Sequence, residues 1–418
     1  MNDEILERLI SNLLKGGIEP PRMMLRHLSD EQNEVFQYHS TLDKALLGEL
    51  IDYLRSDALA CLIFDNKTFN TGNGGSLVTI ENLATWLAIT SHRVGVRNTI
   101  AQLHAFLNVE RTPALAILAV SGIESKEEIA ISDSIKLVPF ESLPPSIPKD
   151  ALAPPFLKDE FLIRHGFIPF HNHVSGGFPK AALVKRIELF PKSYGDNVKK
   201  FTSVDYSDLY EACEFLTLFK KSTPVPSGAW TEVDPIVPCK QLLGSSWSYQ
   251  LPDVISNTDT IISALDWIEI RAIYENFSKM DRHDKDLLRI PIQRLNQARR
   301  RKNIADKAID QGIAFEALFI NDEPEKDQLS FKLRLRASLL LGSNVEMKRE
   351  IFNLIKAFYD CRSSAVHTGK SKLSVKIQNR GKVDAEDVLN ESDTICRSSI
   401  LKIIDQGGFP NWTNLMLG

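Results

Sequence analysis

Two side chains near the C-terminal end of this 418-residue chain, Arg362 and His367, stand five positions apart at the end of a strongly helical stretch, with Gly369 just behind them. Arginine holds a phosphate in bidentate fashion at any working pH, and histidine has an unperturbed pKa that lets it trade protons near neutrality. Cleaving RNA needs a base for the ribose 2′-hydroxyl, a cation for the charge on the phosphorane and an acid for the departing 5′-oxygen. His367 suits the proton transfers, Arg362 suits the charge, and Ser363 adds a hydroxyl that can donate to phosphate or orient the ring. DNA lacks the internal nucleophile, so RNA is the substrate this chemistry implies.

The spacing carries a constraint. Five steps of ideal helix turn a side chain by about 140° and advance it about 7.5 Å, so the two groups do not address one phosphate from an undistorted helix. Either the helix ends before His367 or two chains supply the site.

The elements that must position these residues lie in the last third. Residues 260–279, 289–320, 329–342 and 346–360 space their apolar side chains at helical intervals, joined by short polar links, and 392–405 predicts a helix after the motif. Ile351, Leu354, Ile355 and Phe358 form an apolar stripe that Ala365 or Val366 extends. These segments predict a helical bundle over residues 256–418. Upstream, Asp3 to about Phe106 reads as helical, interrupted by a flexible loop at Asn70–Ser76. Between 112 and 206 the apolar runs shorten to strand length, as in ALAILAVSG, SIKLVPF, FLIRHGFIPF and ALVKRIELF. Ser207–Lys221 predicts a helix, and Pro224, Pro226, Pro235 and Pro238 suggest a boundary near 225–255. The expected fold class is α+β: a mixed α/β region over 1–250, followed by an all-α bundle.

Composition is that of a globular protein, with 43% apolar and 25% charged residues. The net charge of -4 supplies no global field toward nucleic acid or an anionic membrane, so any nucleic-acid surface is local. The first residues carry acids and no secretory signature, and no window reaches eighteen uninterrupted apolar residues, which predicts no membrane partner. Five scattered cysteines without a C-x-x-C pair fit a reducing cytoplasm, with no disulfide framework and no zinc site.

The run AIDQGIAFEALF, then LSFKLRLRASLLLG, then IFNLIKAFYDCRSSAVHTGK resembles the HEPN domain, and within it the ApeA-like branch, over about residues 260–410. The matching positions are Glu316, Arg336, Tyr359, Asp360, Arg362, Ser363, Val366, His367 and Gly369; Thr368 departs from the glycine more often found after the histidine and bears on the turn behind it. The resemblance implies a metal-independent endoribonuclease without a cofactor. It also implies a homodimer whose composite site pairs Arg362 and His367 of two copies. Such proteins act in defence against phage or as toxins, so a phage-derived trigger or an antitoxin is an implied partner, with the N-terminal region sensing or restraining. A non-catalytic dimerisation or RNA-binding module is the competing reading.

Several residues have plainer roles to weigh. Glu316 and Arg336 suit an ion pair holding two helices together. Asp360 suits a helix-end or supporting position, and Tyr359 stands one turn before Arg362. Arg299, Arg300, Arg301 and Lys302 suit either an RNA backbone or a solvated helix face. Gly369-Lys370-Ser371 imitates the end of a phosphate loop, but Ser364 stands where its upstream glycine belongs. His165, His171 and His173 lack a convincing acidic or cysteine partner and read as a turn between strands.

Overall fold

A computed structural model describes residues 1–16, 42–72, 74–153, 178–192, 203–240, 247–249, 259–321 and 328–417. It is mixed, with helices dominating the C-terminal half, in agreement with an α+β class.

The first unit contains α1 (Asp3–Lys15), α2 (Lys44–Ser56), α3 (Ala58–Phe64), the hairpin β1 (Lys67–Asn70) and β2 (Gly75–Val78), α4 (Ile80–Val94) and α5 (Val96–Asn108). Side-chain oxygens of Asn2, Asp43, Asp57 and Thr79 accept from backbone N–H groups of the first turns, which is why these helices start where they do. Their apolar faces close on Phe64, Phe69 and Phe106, whose rings pack 5.5 to 6.1 Å apart. The glycine-rich segment expected to be a flexible loop is a tight hairpin turn. Its Asn70 and Thr71 are buried, and Gly72, at φ 91, lies so close to Thr231 that a Cβ would sit 2.5 Å from the hydroxyl.

A six-stranded antiparallel sheet follows. Its strands are β3 (Thr112–Ser121), β5 (Ile129–Ala130), β6 (Ile135–Pro139), β7 (Ala181–Leu189), β8 (Val225–Val233) and β9 (Trp247–Tyr249), in the order β5-β6-β7-β3-β8-β9; β4 (Ile123–Ser125) lies outside it. The proline-bearing stretch read as a boundary holds β8, one of the two neighbours of β3. Pro226, which has no N–H to give the ladder, pairs with Val120 where the register slips, so a bulge absorbs it. The segment FLIRHGFIPF lies outside the described residues. Alternation along β3 sends Ile117 and Ala119 to a face shared with Trp230 and with Leu152 of α6 (Ile147–Leu152). It sends Ala116, Leu118 and Val120 to the other face, against Leu209, Ala212 and Phe215 of α7 (Ser207–Leu216).

That second face is continuous with the core of the C-terminal bundle. β10 (Thr260–Ile262) pairs in parallel with β4, where the periodicity had suggested helix. Then come α8 (Ala264–Lys279), α9 (Arg282–Arg300), α10 (Ile304–Phe319), α11 (Leu329–Leu341), α12 (Val345–Thr368), the hairpin β11 (Ser374–Ile377) and β12 (Gly381–Asp384), α13 (Ala385–Asp405) and α14 (Trp412–Leu417). The segment 289–320, read as one helical unit, is two helices. Asn303 takes an extended backbone and accepts from the Ala305 N–H at 2.8 Å, capping α10. The helix expected from 392 begins seven residues earlier, at Ala385, once Asp384 caps it. Ion pairs from Lys285 to Glu211 and Arg289 to Glu214 tie α9 to α7.

Candidate active site

α12 starts at an Asn344 cap and buries Ile351, Leu354, Ile355, Phe358, Cys361 and Ala365 along one stripe. Val366 is 48% exposed, so Ala365 extends the stripe. The helix stops at Gly369, whose φ of 66 a glycine adopts without strain and whose N–H donates to the Ala365 carbonyl at 2.9 Å. Thr368 helps close this end. Its hydroxyl donates to the Ser364 carbonyl at 2.8 Å and accepts from the Lys370 N–H at 3.2 Å, while the Ser364 hydroxyl donates to the Lys370 carbonyl at 3.1 Å. Gly369-Lys370-Ser371 is therefore a helix C-terminus, the reverse of a phosphate loop, which opens a helix.

Arg362 points back onto α10. Its Nη2 donates to Glu316 Oε1 at 2.9 Å, and its guanidinium carbon lies 5.5 Å from the centre of the Tyr359 ring. Its stem crosses α10 at Gly312, where an added Cβ would meet Arg362 Cγ at 2.7 Å and Nε at 3.1 Å. Gly312 and Glu316 are four residues apart and share one face of α10, so that helix supplies both the groove and the anchor. Nε of Arg362 is buried and has no hydrogen-bond partner among the described residues.

His367 is exposed in the last turn of α12. The helix runs through Thr368, which removes the option of an early helix end. Along one copy, Arg362 and His367 therefore project about 140° apart. The structure does not bring them to a common point within one chain.

The supporting residues divide. Tyr359 and Ser363 are half-buried beside Arg362. Asp360 is exposed in mid-helix, not at a helix end. Glu316 is engaged by Arg362 in place of the expected Arg336. Arg336, only 1% exposed, donates to the carbonyl of Phe319, the last residue of α10, at 2.6 Å and lies 5.2 Å over Trp412, a cation completing a helix C-terminus. Cys361 adjoins Arg362 in sequence, yet burial pushes its thiol up to about 11, so it is no thiolate nucleophile near neutrality.

The basic run divides, and its first arginine is turned inward. Arg299 grips Asp393 of α13 through Nε at 2.8 Å and Nη2 at 2.9 Å, with the pair's side chains 5% and 4% exposed, and its Nη1 donates to the carbonyls of Thr217 and Ser222. Arg301 donates to Asp310 at 2.8 Å and Arg300 to Asn296 at 2.8 Å, leaving Lys302 exposed at the end of the run. Arg299 therefore belongs to the interior of the bundle, and Arg301 reaches in from its edge to the buried Asp310. His165, His171 and His173 lie outside the described residues.

Sequence reasoning passed over Gly312, although a glycine inside an aliphatic helix costs about 1 kcal/mol against alanine and so signals a packing need. It also passed over Asp310 and Asp393, whose burial no local pattern announces. No protein-family profile, curated protein or solved structure matches the chain.

Proposed function

We propose that the C-terminal bundle is a HEPN-type, metal-independent endoribonuclease whose site is completed by a second copy of the chain, acting in antiphage defence or abortive infection. The observation that carries this reading is the divergence of two suitable groups on one unbroken helix: a guanidinium seated by Gly312 and Glu316, and an imidazole open to solvent at the capped end. Antiparallel apposition of two such helix ends sets the Arg362 of each copy near the His367 of the other, so that the two copies form one composite site. One imidazole takes the 2′-hydroxyl proton as the oxygen attacks phosphorus. The Arg362 guanidinium balances the charge on the phosphorane, and an imidazolium gives its proton to the departing 5′-oxygen. The products are a 2′,3′-cyclic phosphate and a 5′-hydroxyl end, with no water consumed. Seating the guanidinium in advance is what makes such charge stabilisation effective.

The Arg362–Glu316 ion pair favours a second reading as well, in which Arg362 braces α12 against α10 and the bundle is a non-catalytic dimerisation or RNA-binding module. His367→Ala separates the two. Loss of general acid–base catalysis lowers the cleavage rate by about 10²–10⁴-fold while the melting temperature of an exposed-site variant stays put. Equal cleavage of the same RNA by wild type and variant sinks the ribonuclease. Growth arrest or phage protection that survives the loss of both Arg362 and His367 moves the function to the rest of the chain, and suppression of toxicity by a neighbouring gene identifies a toxin with its antitoxin.

A further inference from the structure

Arg334 and Arg362 both lie over aromatic rings on one flank of α12. The guanidinium carbon of Arg334 is 4.5 Å from the centre of Phe352 and 5.7 Å from that of Phe331, and these two rings meet edge to face at 6.0 Å. Phe352 and Tyr359, the ring beneath Arg362, are seven residues apart on the helix, which puts them on the same face about 10.5 Å apart along the axis. Lys356, between them on that flank, is exposed. An aromatic that served only to clamp α11 against α12 gains by burial, yet Phe331 is 44% exposed.

We propose that Phe331, Arg334 and Phe352 form a base-stacking subsite for single-stranded RNA, two helical turns from Arg362. An exposed ring beside a guanidinium plane offers a π surface to any base, and a cation between two such platforms meets the intervening phosphate. The span between the platforms matches about three stacked bases at roughly 3.4 Å each. A duplex keeps its bases stacked on one another, so the subsite selects unpaired strands. The choice of RNA over DNA as the natural ligand rests on the ribonuclease reading; the platform itself does not.

The test is fluorescence anisotropy on the full chain with a short labelled deoxyadenylate strand, which lacks the 2′-hydroxyl and so reports binding without cleavage. Phe331→Leu keeps an apolar contact with Phe352 but no stacking face and weakens binding about tenfold, whereas Phe331→Tyr keeps it within about twofold. Melting temperatures of both variants are expected to match the wild type. Equal binding by wild type and Phe331→Leu overturns the subsite, as does a wild-type protein that ignores the strand or binds the corresponding duplex as tightly. Equal loss in both variants identifies a structural clamp and overturns it too. Wild-type binding by Phe331→Leu, with cleavage still dependent on His367, removes the subsite and leaves the ribonuclease. Phe331-dependent binding with no RNA cleavage by the wild type does the reverse.

Discussion

Two groups of arginines in the bundle have the same chemistry and different neighbours. Arg299 and Arg301 close on Asp393 and Asp310, carboxylates presented by α13 and α10, and Arg299 also holds two carbonyls of the connection between α7 and β8. Arg334 and Arg362 lie instead over the rings of Phe352 and Tyr359, and Arg362 has one half-exposed carboxylate, Glu316. Within the dense basic cluster Arg299 is buried and structural, whereas Arg301, its side chain 25% exposed, is about as open as Arg362 at 23%, so what separates them is the neighbour each one meets. Whether a cation is available to a ligand depends on what the neighbouring helix offers it.

The strongest way to break this comparison is Arg299→Ala. It strands Asp393 and two carbonyls in the interior, and breaking a buried pair by removing one partner costs about 3–5 kcal/mol. Urea unfolding monitored by circular dichroism should show a large drop in midpoint; an unchanged midpoint would mean that Arg299 does not hold α9 to α13 and to the connection between α7 and β8. Arg362→Ala, by contrast, should move that midpoint little, since partly exposed pairs contribute about 0–1 kcal/mol.

Gly312→Ala sharpens the contrast at the site. The new methyl would lie 2.7 Å from Arg362 Cγ, a stem atom and not the far end of the side chain, so the stem shifts and the guanidinium leaves its seat. A displaced catalytic group lowers cleavage by about 100-fold. Stability changes by less than about 1 kcal/mol, because the helix-propensity gain of alanine offsets the lost pair. Cleavage by this variant at the wild-type rate would show that the seat does not matter.

The smallest effect belongs to a third arginine at the exposed end of the scale. Arg380 holds Glu391 through two hydrogen bonds of 2.7 and 2.6 Å, which keep the carboxyl below its ordinary value of 4.5. A depressed folded-state value means the pair stabilises fully above pH 4.5 and loses its contribution as pH falls through the lower folded value. With both side chains well exposed, Glu391→Gln should cost less than about 1 kcal/mol at pH 7 and nothing at the acid end. Thermal melts across that range check both limits.

Periodicity leaves open whether α12 carries on through His367 to Thr368, which the structure settles; the helical character of the last third and the stripe under α12 followed from periodicity. The split at Asn303 did not, because helical spacing on both sides continues through a three-residue link and only the cap marks the break. β8 was hidden for a related reason: prolines mark breaks on average, and a bulge opposite Val120 makes room for one here. At the site, the residue types were visible but their partners were not. Glu316 could face either Arg336 or Arg362 across the bundle, and the glycine at 312 decided it by letting Arg362 cross α10.

By itself the sequence determined the local terms: which stretches coil, and the angular separation of Arg362 and His367 that five steps of an unbroken helix impose. Those properties depend on neighbours along the chain, and dihedral preference and hydrogen-bond period settle them. Only the tertiary structure decided which charges are neutralised. That outcome depends on contacts between residues distant in sequence, such as Arg299 with Asp393 and Arg362 with Glu316, and periodicity carries no information about which faces meet.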